Sequence, residues 1–426
     1  MSTTTSPPVE RLLDGEYDGP VSVRGPLRRL LLWLAPAYMA IFAVWGAVPG
    51  ILLALQVEHI DPVNKVGNLA LVTTLGAIFS MIAQPIAGLV SDRTRSRLGR
   101  RAPWMLVGSA LGGALLVVLG FQSTVAGVAI GWIAVSVAYN FAQASLGAIM
   151  PDRIPRLARG SFSAVSGLGT LIGLLGGQFF GASMSGSIPV AYLVLALLGF
   201  TMFLLLALFN RDRPSVQMKR EPFSFAVFVS TFWVDPRRHP DFFWAFTGRL
   251  LLNLAYYVVA GGYLLYVLAD HIGLGTAAAT ATVPLLALAS APGAVVATTF
   301  SGPLSDRLRR RKVFIVTSGL VFAAAVSIPL FSPTVEGMIL TFALGGLGYG
   351  VFQSIDAVLM SEVLPSASSF GKDLGIVNIA ITLPQSLAPA LAGAIVLTAG
   401  YAWLFPIAIV LSVFGALAVI PIRSVR

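Results

Sequence analysis

Long apolar runs separated by short polar segments make up most of this chain. A helix that crosses a bilayer core needs about 20 consecutive, mostly apolar residues. Twelve runs are of about this length, near 29–55, 66–90, 103–122, 126–150, 161–184, 189–209, 241–268, 279–302, 313–332, 335–361, 374–398 and 401–421. The pattern predicts an all-α integral membrane protein whose twelve transmembrane helices form two six-helix bundles.

The polar segments between these runs predict the domain organisation. We expect an N-terminal tail at 1–28, a first bundle at 29–209, a central loop at 210–240, a second bundle at 241–422 and a C-terminal tail at 423–426. The 43 Gly and 26 Pro fit this organisation, because small residues let membrane helices pack closely and neighbouring helices satisfy broken backbone bonds. The lipid bilayer is therefore the first partner that the sequence predicts.

The two predicted bundles carry the same motif. Gly88 opens G-L-V-S-D-R, and Gly302, 214 residues later, opens G-P-L-S-D-R. Pro151 and Pro365, each just beyond another apolar run, are separated by the same 214 residues. Two landmarks at one spacing indicate a duplicated unit, which is typical of transporters built from two related membrane halves.

Charge is scarce and unevenly placed. The chain is 56% hydrophobic and 11% charged, whereas a soluble domain carries about 25% charged residues. With twelve spans, 26 of the 28 Lys and Arg fall on one side; Lys65 falls on the other side and Arg249 inside span 7. This bias predicts that both termini and the central loop lie in the cytoplasm, with the spans in the cell membrane. The same clustering indicates membrane topology rather than nucleic-acid binding, despite the net charge of +10.

The duplicated motif suggests a conformational latch. Asp92 lies where span 2 ends, and a carboxylate there can accept hydrogen bonds from the N–H groups at a neighbouring helix N-terminus. The Arg cluster that follows can pair with acids on adjacent helix ends, Asp152 being one candidate. The latch set is Gly88, Asp92, Arg93 and Asp152 in the first half and Gly302, Asp306, Arg307 and Glu362 in the second. The alternative is that these charges only anchor the loops on the cytoplasmic side.

At these residues the chain resembles the major facilitator superfamily, with G-x-x-x-D-R between spans 2 and 3 and again between spans 8 and 9. The loop S-D-R-T-R-S-R-L-G-R-R-A-P-W at 91–104 and the segment at 371–389 are similar to those of glycoside–pentoside–hexuronide and sucrose/proton symporters. The resemblance covers essentially the whole chain. It implies two six-helix bundles that rock around a central site and import a sugar with a proton or sodium ion.

Two departures from related patterns narrow this expectation. Melibiose-type relatives carry acidic residues in spans 2 and 4 for the cation, but 66–90 and 126–150 contain no Asp or Glu, which argues against sodium coupling. Many drug/proton antiporters of the superfamily carry a Gly-Pro motif in span 5, but 161–184 contains no Pro, which argues against an exporter.

Two ionisable residues stand out deep inside the predicted spans, away from their ends. A charge at mid-helix costs about 2.5–3.5 kcal/mol on insertion scales, so such a residue is a functional candidate. Arg249 lies about 12 Å and Asp356 about 9 Å from the cytoplasmic ends of spans 7 and 10, at 1.5 Å per residue. The resemblance implies that both spans line the cavity, so we expect the two side chains to face each other and Asp356 to take the coupling proton. Arg249 snorkelling to the surface and Asp356 making a purely structural hydrogen bond remain alternatives.

Uncharged polar and aromatic residues within the spans outline a substrate site. Amides can bind the hydroxyls of a sugar, and aromatic rings can cover its C–H face. Asn378, Thr382 and Gln385 are spaced by four and three residues and so share one helix face. The candidate set is Asn140, Gln143, Gln178, Asn253, Tyr256, Tyr257, Gln353, Asn378 and Gln385. Outside the spans, Glu58, His59 and Asp61 occupy a repeat-equivalent place to Asp270 and His271, and we interpret them as solvated loop groups.

The sequence therefore predicts a secondary active transporter for a small polar solute, a sugar, driven by proton symport. Proton-coupled efflux of a drug or metabolite and a non-transporting membrane sensor remain as alternatives. An enzyme is not expected, because the spans contain no His or Cys and hence no nucleophile–base pair of the usual kind. No cofactor or metal is expected, and a monomer is expected to be sufficient.

Overall fold

The computed structural model describes residues 25–212, 214–216, 237–308, 310–363 and 370–422, with only the backbone at 156, 361, 362, 370–379 and 381. Most of the two predicted tails and of the predicted central loop therefore lies outside the described residues. The predicted domain boundaries remain predictions for that reason.

All regular secondary structure among the described residues is helical. Its long helices are α1 Pro26–Ile60, α2 Lys65–Arg93, α3 Ala102–Gly120, α4 Val125–Arg153, α5 Arg159–Ser183, α6 Ile188–Phe209, α7 Pro240–Ala260, α8 Gly275–Leu308, α9 Arg311–Phe331, α10 Val335–Val363, α11 Phe370–Ala399 and α12 Leu404–Leu417. Within the described ranges, eleven of them are long and apolar enough to cross a membrane, and α12 belongs to a shorter apolar helix, Tyr401–Leu417. The predicted all-α membrane architecture with twelve helices is confirmed.

Local sequence fixes where several helices begin. Thr124 Oγ1 accepts a hydrogen bond from the Gly127 N–H at the start of α4, and Thr334 Oγ1 accepts one from the Gly337 N–H at the start of α10, both at 3.1 Å. Such side-chain caps satisfy N–H groups that have no partner within the helix. Other helices begin with a proline in the first turn, where the N–H that proline lacks would have no partner within the helix. These prolines are Pro26, Pro103, Pro189 and Pro240.

The same helix pairs pack together in each half of the chain. In the first half α1 packs on α5 and α6, α3 packs on α4 and α6, and α2 packs on α4. In the second half α7 packs on α11 and α12, α9 packs on α10 and α12, and α8 packs on α10. Each pair recurs with its helix numbers raised by six, which is the arrangement expected of a duplicated bundle.

Small residues allow the closest of these contacts. A Cβ on Gly46 of α1 would overlap the backbone of Leu174 in α5, and a Cβ on Gly177 of α5 would overlap the backbone of Ala43 in α1. Because neither glycine has a side chain, the two helices approach within backbone contact. Membrane helices rely on such packing, since lipid gives them no hydrophobic drive to associate.

The predicted single span at 241–268 is wrong in one respect. Helix α7 ends at Ala260, and a short helix Leu264–Tyr266 and a π-helical turn Val267–His271 follow it. The break falls at Gly261, which leaves the helical conformation with φ −78° and ψ −165°. A glycine suits this position, because a Cβ there would overlap the carbonyl oxygen of Tyr257. Helix α1 contains a π-helical turn of its own at Val48–Leu52. π-Helical turns inside α-helices often mark functional sites.

The two halves meet through α2 with α11 and through α5 with α8. We call the face of the bundle that carries Arg93–Arg101 and Arg310–Lys312 the basic face, and the face with the α1–α2 and α7–α8 connections the opposite face. At the opposite face the hydroxyl of Tyr266 donates to the carbonyl oxygen of Ala54 at 2.8 Å, and that of Tyr263 donates to the carbonyl oxygen of Val66 at 2.9 Å. Hydrogen bonds between halves therefore close the opposite face in this structure.

Candidate functional site

A buried ion pair joins α7 to α10. Arg249 Nε lies 3.0 Å from Asp356 Oδ2, and the two side chains are 5% and 2% exposed. The sequence placed both residues at similar depths in spans 7 and 10, and the structure brings them together. Arg249 therefore does not snorkel to the surface here. A charge pair this far from water is costly to keep, so it marks a functional site more strongly than a surface pair does.

The pair is held by charge rather than by well-directed hydrogen bonds. The distance is that of a salt bridge, but the Nε–H does not point at the carboxylate oxygen. Consequently Arg249 Nε, Arg249 Nη1 and Asp356 Oδ2 have no hydrogen-bond partner among the residues that the structure describes. Buried polar groups without a partner are rare in native proteins, and a catalytic role or a bound water or ion is among their explanations.

A cluster of polar and aromatic side chains adjoins the ion pair. Asn253, one turn beyond Arg249, donates from Nδ2 to the Arg249 carbonyl oxygen at 2.8 Å. Its Oδ1 accepts from the hydroxyl of Tyr349 at 2.9 Å, and Gln353 Nε2 donates to the same hydroxyl at 2.8 Å. The ring of Tyr349 stacks on that of Tyr256, with centroids 3.8 Å apart and an angle of 8°.

Tyr349 was missed by the sequence analysis. Its signal was available, because it lies seven residues before Asp356 and four before Gln353, and residues at these spacings share a helix face. Aromatic residues in membrane helices are commonly lipid-facing, however, so only the partners of the hydroxyl single it out.

Two amides of the cluster are exposed within membrane-spanning helices. Gln385 Nε2 on α11 donates to the hydroxyl of Tyr257 on α7 at 2.6 Å. The side chains of Gln385 and Gln353 are both exposed. Polar groups within a membrane span face the bundle interior or a water-filled cavity rather than lipid. These amides are therefore placed to meet a solute. The side chain of Asn378, another predicted member, lies outside the described residues.

The first half contributes a separate group of predicted residues. Trp45 Nε1 donates to Gln143 Oε1 at 2.7 Å, and the ring of Trp45 meets that of Trp132 edge-on. Asn140 is turned to its own helix, because its Nδ2 donates to the Ser136 carbonyl oxygen at 2.8 Å. Gln178 Oε1 is buried and has no hydrogen-bond partner within the described ranges. Gln178 thus retains a polar atom for a ligand, whereas Gln143 and Asn140 each commit one amide atom to a contact within the protein.

The basic-face motif is organised around Arg101. Its side chain, 6% exposed, pairs with Asp92 and also with Asp152, where Nε lies 2.7 Å from Oδ2. Arg100 also reaches Asp152, at 2.6 Å. Pairing of the Arg cluster with Asp152 was expected. The expected hydrogen bonds from a helix N-terminus to Asp92 are not what the structure shows, because Arg101 occupies its Oδ1.

Gly88 of the latch set departs from the prediction, whereas a Cβ on its counterpart Gly302 would lie 3.4 Å from Ser354 Oγ on α10. In this conformation nothing lies within 4 Å of the position that a Cβ on Gly88 would take, so the expected close helix approach is not made. In the second half Asp306 pairs with Arg311 at 3.0 Å. The predicted pairing of Arg307 with Glu362 is untested, because the side chain of Glu362 lies outside the described residues. The role of a latch remains a prediction.

The opposite face carries an ion network across the halves. Lys65 Nζ lies 2.8 Å from Glu58 and 2.9 Å from Asp270, and it sits 4.7 Å above the ring of Tyr266. The hydroxyl of Tyr401 donates to Asp270 at 2.9 Å. Glu58 and Asp270 are thus structural partners rather than the solvated loop groups that we expected.

Nearby Asp61 caps the connection to α2. Its carboxylate accepts from the backbone N–H of Asn64 at 3.0 Å and from the side chain of Asn68 at 3.0 Å. The hydrogen bonds from Asn64, foremost that from its backbone, hold the pKa of Asp61 below its usual range. Among the described residues, no group of three or more His, Cys, Asp or Glu could hold a metal ion.

Duplicated six-helix halves with charged and polar groups buried between their helices define a polytopic membrane transporter. The chain belongs to the Major Facilitator Superfamily, whose family model matches residues 30–301 and 285–426.

Comparisons with known proteins support the same conclusion. The chain is 37% identical over 75 residues to the arabinose-proton symporter of Bacillus subtilis, which is 18% of this chain and 16% of that protein. It is 35% identical over 82 residues to monosaccharide-sensing protein 3 of Arabidopsis thaliana, which is 19% of this chain and 11% of that protein. The matches thus span less than a fifth of each of these relatives.

Solved structures resemble the whole fold. A bacterial homologue of the human lysosomal transporter Spinster, in an inward-facing and unoccupied conformation, gives a TM-score of 0.70 at 14% identity, covering 94% of this chain and 96% of that one. The nucleoside transporter NupG gives a TM-score of 0.72 at 13% identity, covering 92% of this chain and 99% of that one. At these identities the likeness establishes the fold alone.

Proposed function

We propose that this chain imports a sugar together with a proton across the cell membrane by alternating access. The observation that carries the proposal is the juxtaposition of the Arg249–Asp356 ion pair with the exposed amides of Gln353 and Gln385. A buried acid suits proton binding, and amides beside stacked aromatic rings suit a polyhydroxylated ring. The sugar/proton symporter among the relatives supports the same assignment.

The sugar site is proposed to lie beside Tyr256, Tyr257 and Tyr349. Small-molecule sites are mostly apolar concavities with a few well-placed polar groups. Each amide of Gln353 and Gln385 donates through Nε2 to a tyrosine hydroxyl, so its Oε1 is left to accept from a sugar hydroxyl. Gln143 and Gln178 of the first half would complete the site from the other bundle when the halves close around the solute.

Asp356 is proposed to carry the coupling proton. While it is ionised, Arg249 balances its charge within the protein. A proton on Oδ2 would neutralise the carboxylate and leave Arg249 as an unbalanced buried cation, which favours a different arrangement of α7 and α10. Proton binding would in this way change the relative stability of the two transport states.

The positions of the two gates are proposed from the predicted topology. The positive-inside bias would place the basic face in the cytoplasm. The opposite face, closed here by Lys65, Tyr263 and Tyr266, would then be the external gate. Opening that gate while the basic face closes would expose the solute site to the outside, and the present arrangement would release the solute inwards.

The deciding experiment is uptake of a radiolabelled sugar panel, including pentoses and disaccharides, into proteoliposomes with and without an inward proton gradient. We expect accumulation of at least one sugar that collapses with a protonophore. Asp356→Asn should abolish uphill accumulation of sugar, because Asn cannot bind the proton. The variant should still let sugar move down its own concentration gradient. Glu336→Gln, an exposed acid in the first turn of α10, is the matched control and should accumulate sugar normally. Proton-driven accumulation that survives in Asp356→Asn would remove this residue from the mechanism.

A further inference from the structure

One tyrosine hydroxyl connects the buried ion pair to an exposed amide. Asn253 Nδ2 is committed to the carbonyl oxygen of Arg249, so its Oδ1 faces away and accepts from Tyr349. A hydroxyl has one proton. Because Tyr349 donates that proton to Asn253, it is left to accept from Gln353, whose Nε2 lies 2.8 Å away. The hydroxyl of Tyr257, which accepts from Gln385, is a further hydrogen-bond partner of Tyr349, so both exposed amides connect to this network.

The position of this hydroxyl is set by packing. The ring of Tyr349 stacks on Tyr256 of α7 in near-parallel contact, with centroids 3.8 Å apart, and tilts against Phe352 one turn further along α10. Helices α7 and α10 are consequently joined at two levels on one face. At one level Arg249 meets Asp356, and at the other Asn253 meets Tyr349. A shift of one helix against the other must strain both contacts.

We propose that Tyr349 is a positioning residue that makes the grip of Gln353 on the solute depend on the protonation of Asp356. The inference rests on the proposed function and deepens it. When a proton from the external side binds Asp356 Oδ2, the charge attraction between α7 and α10 at Arg249 is lost. The hydrogen bond from Tyr349 to Asn253 spans the same two helices and changes with their separation. Gln353, whose Nε2 is held by the Tyr349 hydroxyl, is then released or reoriented towards the solute.

Tyr349→Phe tests this directly, because it keeps the stacked ring and removes only the hydroxyl. We expect the variant to bind and exchange sugar, with affinity reduced by about 2- to 10-fold for one lost hydrogen bond. Its half-saturation concentration should no longer vary with pH, and its ratio of protons to sugar should fall below that of the wild type. A purely structural role would lower activity without changing the pH profile.

Tyr139→Phe is the matched control. Tyr139 lies on α4 outside the proposed site, and its buried hydroxyl has no hydrogen-bond partner among the described residues, so the pH profile should match the wild type. Should Tyr349→Phe fail to fold, Asn253→Leu removes the acceptor of the same bond at similar volume and should give the same loss of pH dependence.

The outcomes separate this inference from the proposed function. If the wild type shows no proton-driven uptake of any sugar, the proposed function itself fails. The other case is a wild type that couples sugar to protons and an Asp356→Asn variant that does not. If Tyr349→Phe, or its substitute Asn253→Leu, then keeps the wild-type pH profile and proton-to-sugar ratio, the role of Tyr349 is refuted while the proposed function stands.

Discussion

Replacing Lys65 with Met should open the opposite face of the transporter. Lys65 is the one cation between two acids at this face: Glu58 comes from its own half and Asp270 from the other. The three side chains are only 14%, 19% and 36% exposed. Methionine keeps the length and the apolar stem but leaves the two carboxylates facing each other without a cation.

The expected size of the effect follows from these contacts. An exposed ion pair contributes about 0.2–1 kcal/mol, and the partial burial of this one places it at the upper end. The cation–π contact with Tyr266 adds about 0.5–1 kcal/mol. The contacts of Lys65 with Asp270 and Tyr266 join the two halves and exist only while the opposite face is closed. Losing both contacts should therefore shift the balance between the closed and open states of this face by about 1–2 kcal/mol. That corresponds to about a 5- to 30-fold change in the population ratio.

The chain contains no cysteine, which makes the measurement clean. Spin labels on Val63→Cys and Ala277→Cys, both exposed and in different halves, report the opening of the opposite face. Labels on Leu98→Cys and Leu308→Cys report the basic face. We expect Lys65→Met to lengthen the first distance and shorten the second in liposomes.

Lys65→Arg keeps the charge and should retain the wild-type distance distributions. The double variant with Asp270→Asn should shift the populations less than the sum of the two single changes, since both remove the same contact. Unchanged distances in Lys65→Met would refute the reasoning, because they would show that the network adds nothing to the closed state.

Two further predictions concern stability in detergent. Gly177→Val would force a side chain into the α1 backbone and should cost about 1–3 kcal/mol, seen as a lowered Tm, whereas Gly176→Val, with open space around it, should leave the Tm unchanged. Arg101→Gln should lower the Tm more than Arg100→Gln does, because the Arg101 side chain is 6% exposed and holds two acids whereas that of Arg100 is 28% exposed and holds one; an equal loss in both variants would contradict the assignment.

The hydrophobic pattern predicted the helices well because a bilayer imposes one length and one composition on every span. The break in span 7 was missed, since Gly261–Gly262 also fits a close-packed membrane helix and only the backbone conformation distinguishes the two. Small residues carry this ambiguity throughout the chain. Their number indicates membrane packing, but their positions alone do not say which of them permits a contact and which of them ends a helix.

The candidate site was predicted in part for a related reason. Arg249 and Asp356 stand out because an ionisable residue inside a span is rare. Tyr349 and the network around Lys65 do not stand out, because tyrosines are common in spans and charges are common in loops. Their importance lies in contacts between residues far apart in sequence, such as Lys65 with Asp270, and a single sequence has no signal for such a pairing.

The duplicated architecture also shows where the chemistry departs from the scaffold. Residues Thr124 and Thr334 cap equivalent helices 210 residues apart, and α4 and α10 also end 210 residues apart. The repeated basic-face motif at the ends of α2 and α8 is 214 residues apart, so the second half has four fewer residues between the motif and the capping threonine. By either spacing Asp356 falls on a buried apolar residue of the first half, Ala142 or Leu146.

By the 210-residue spacing of the capping threonines, the equivalent of Tyr349 in the first half is Tyr139. Tyr139 has the same ring, but in the described part of the chain its hydroxyl has no counterpart of the bond from Tyr349 to Asn253. The Tyr139 hydroxyl is buried and has no hydrogen-bond partner within the described ranges. By the spacing of the motif, Asn253 falls on Met39, which can accept no comparable hydrogen bond. The second half therefore carries an asparagine, an arginine and an aspartate that the first half lacks at the equivalent positions. Under the proposed function, a charge change confined to one bundle would move that bundle's helices against each other while the other bundle serves as the fixed wall of the site. Coupling through α7 and α10 would then require no counterpart in α1 and α4.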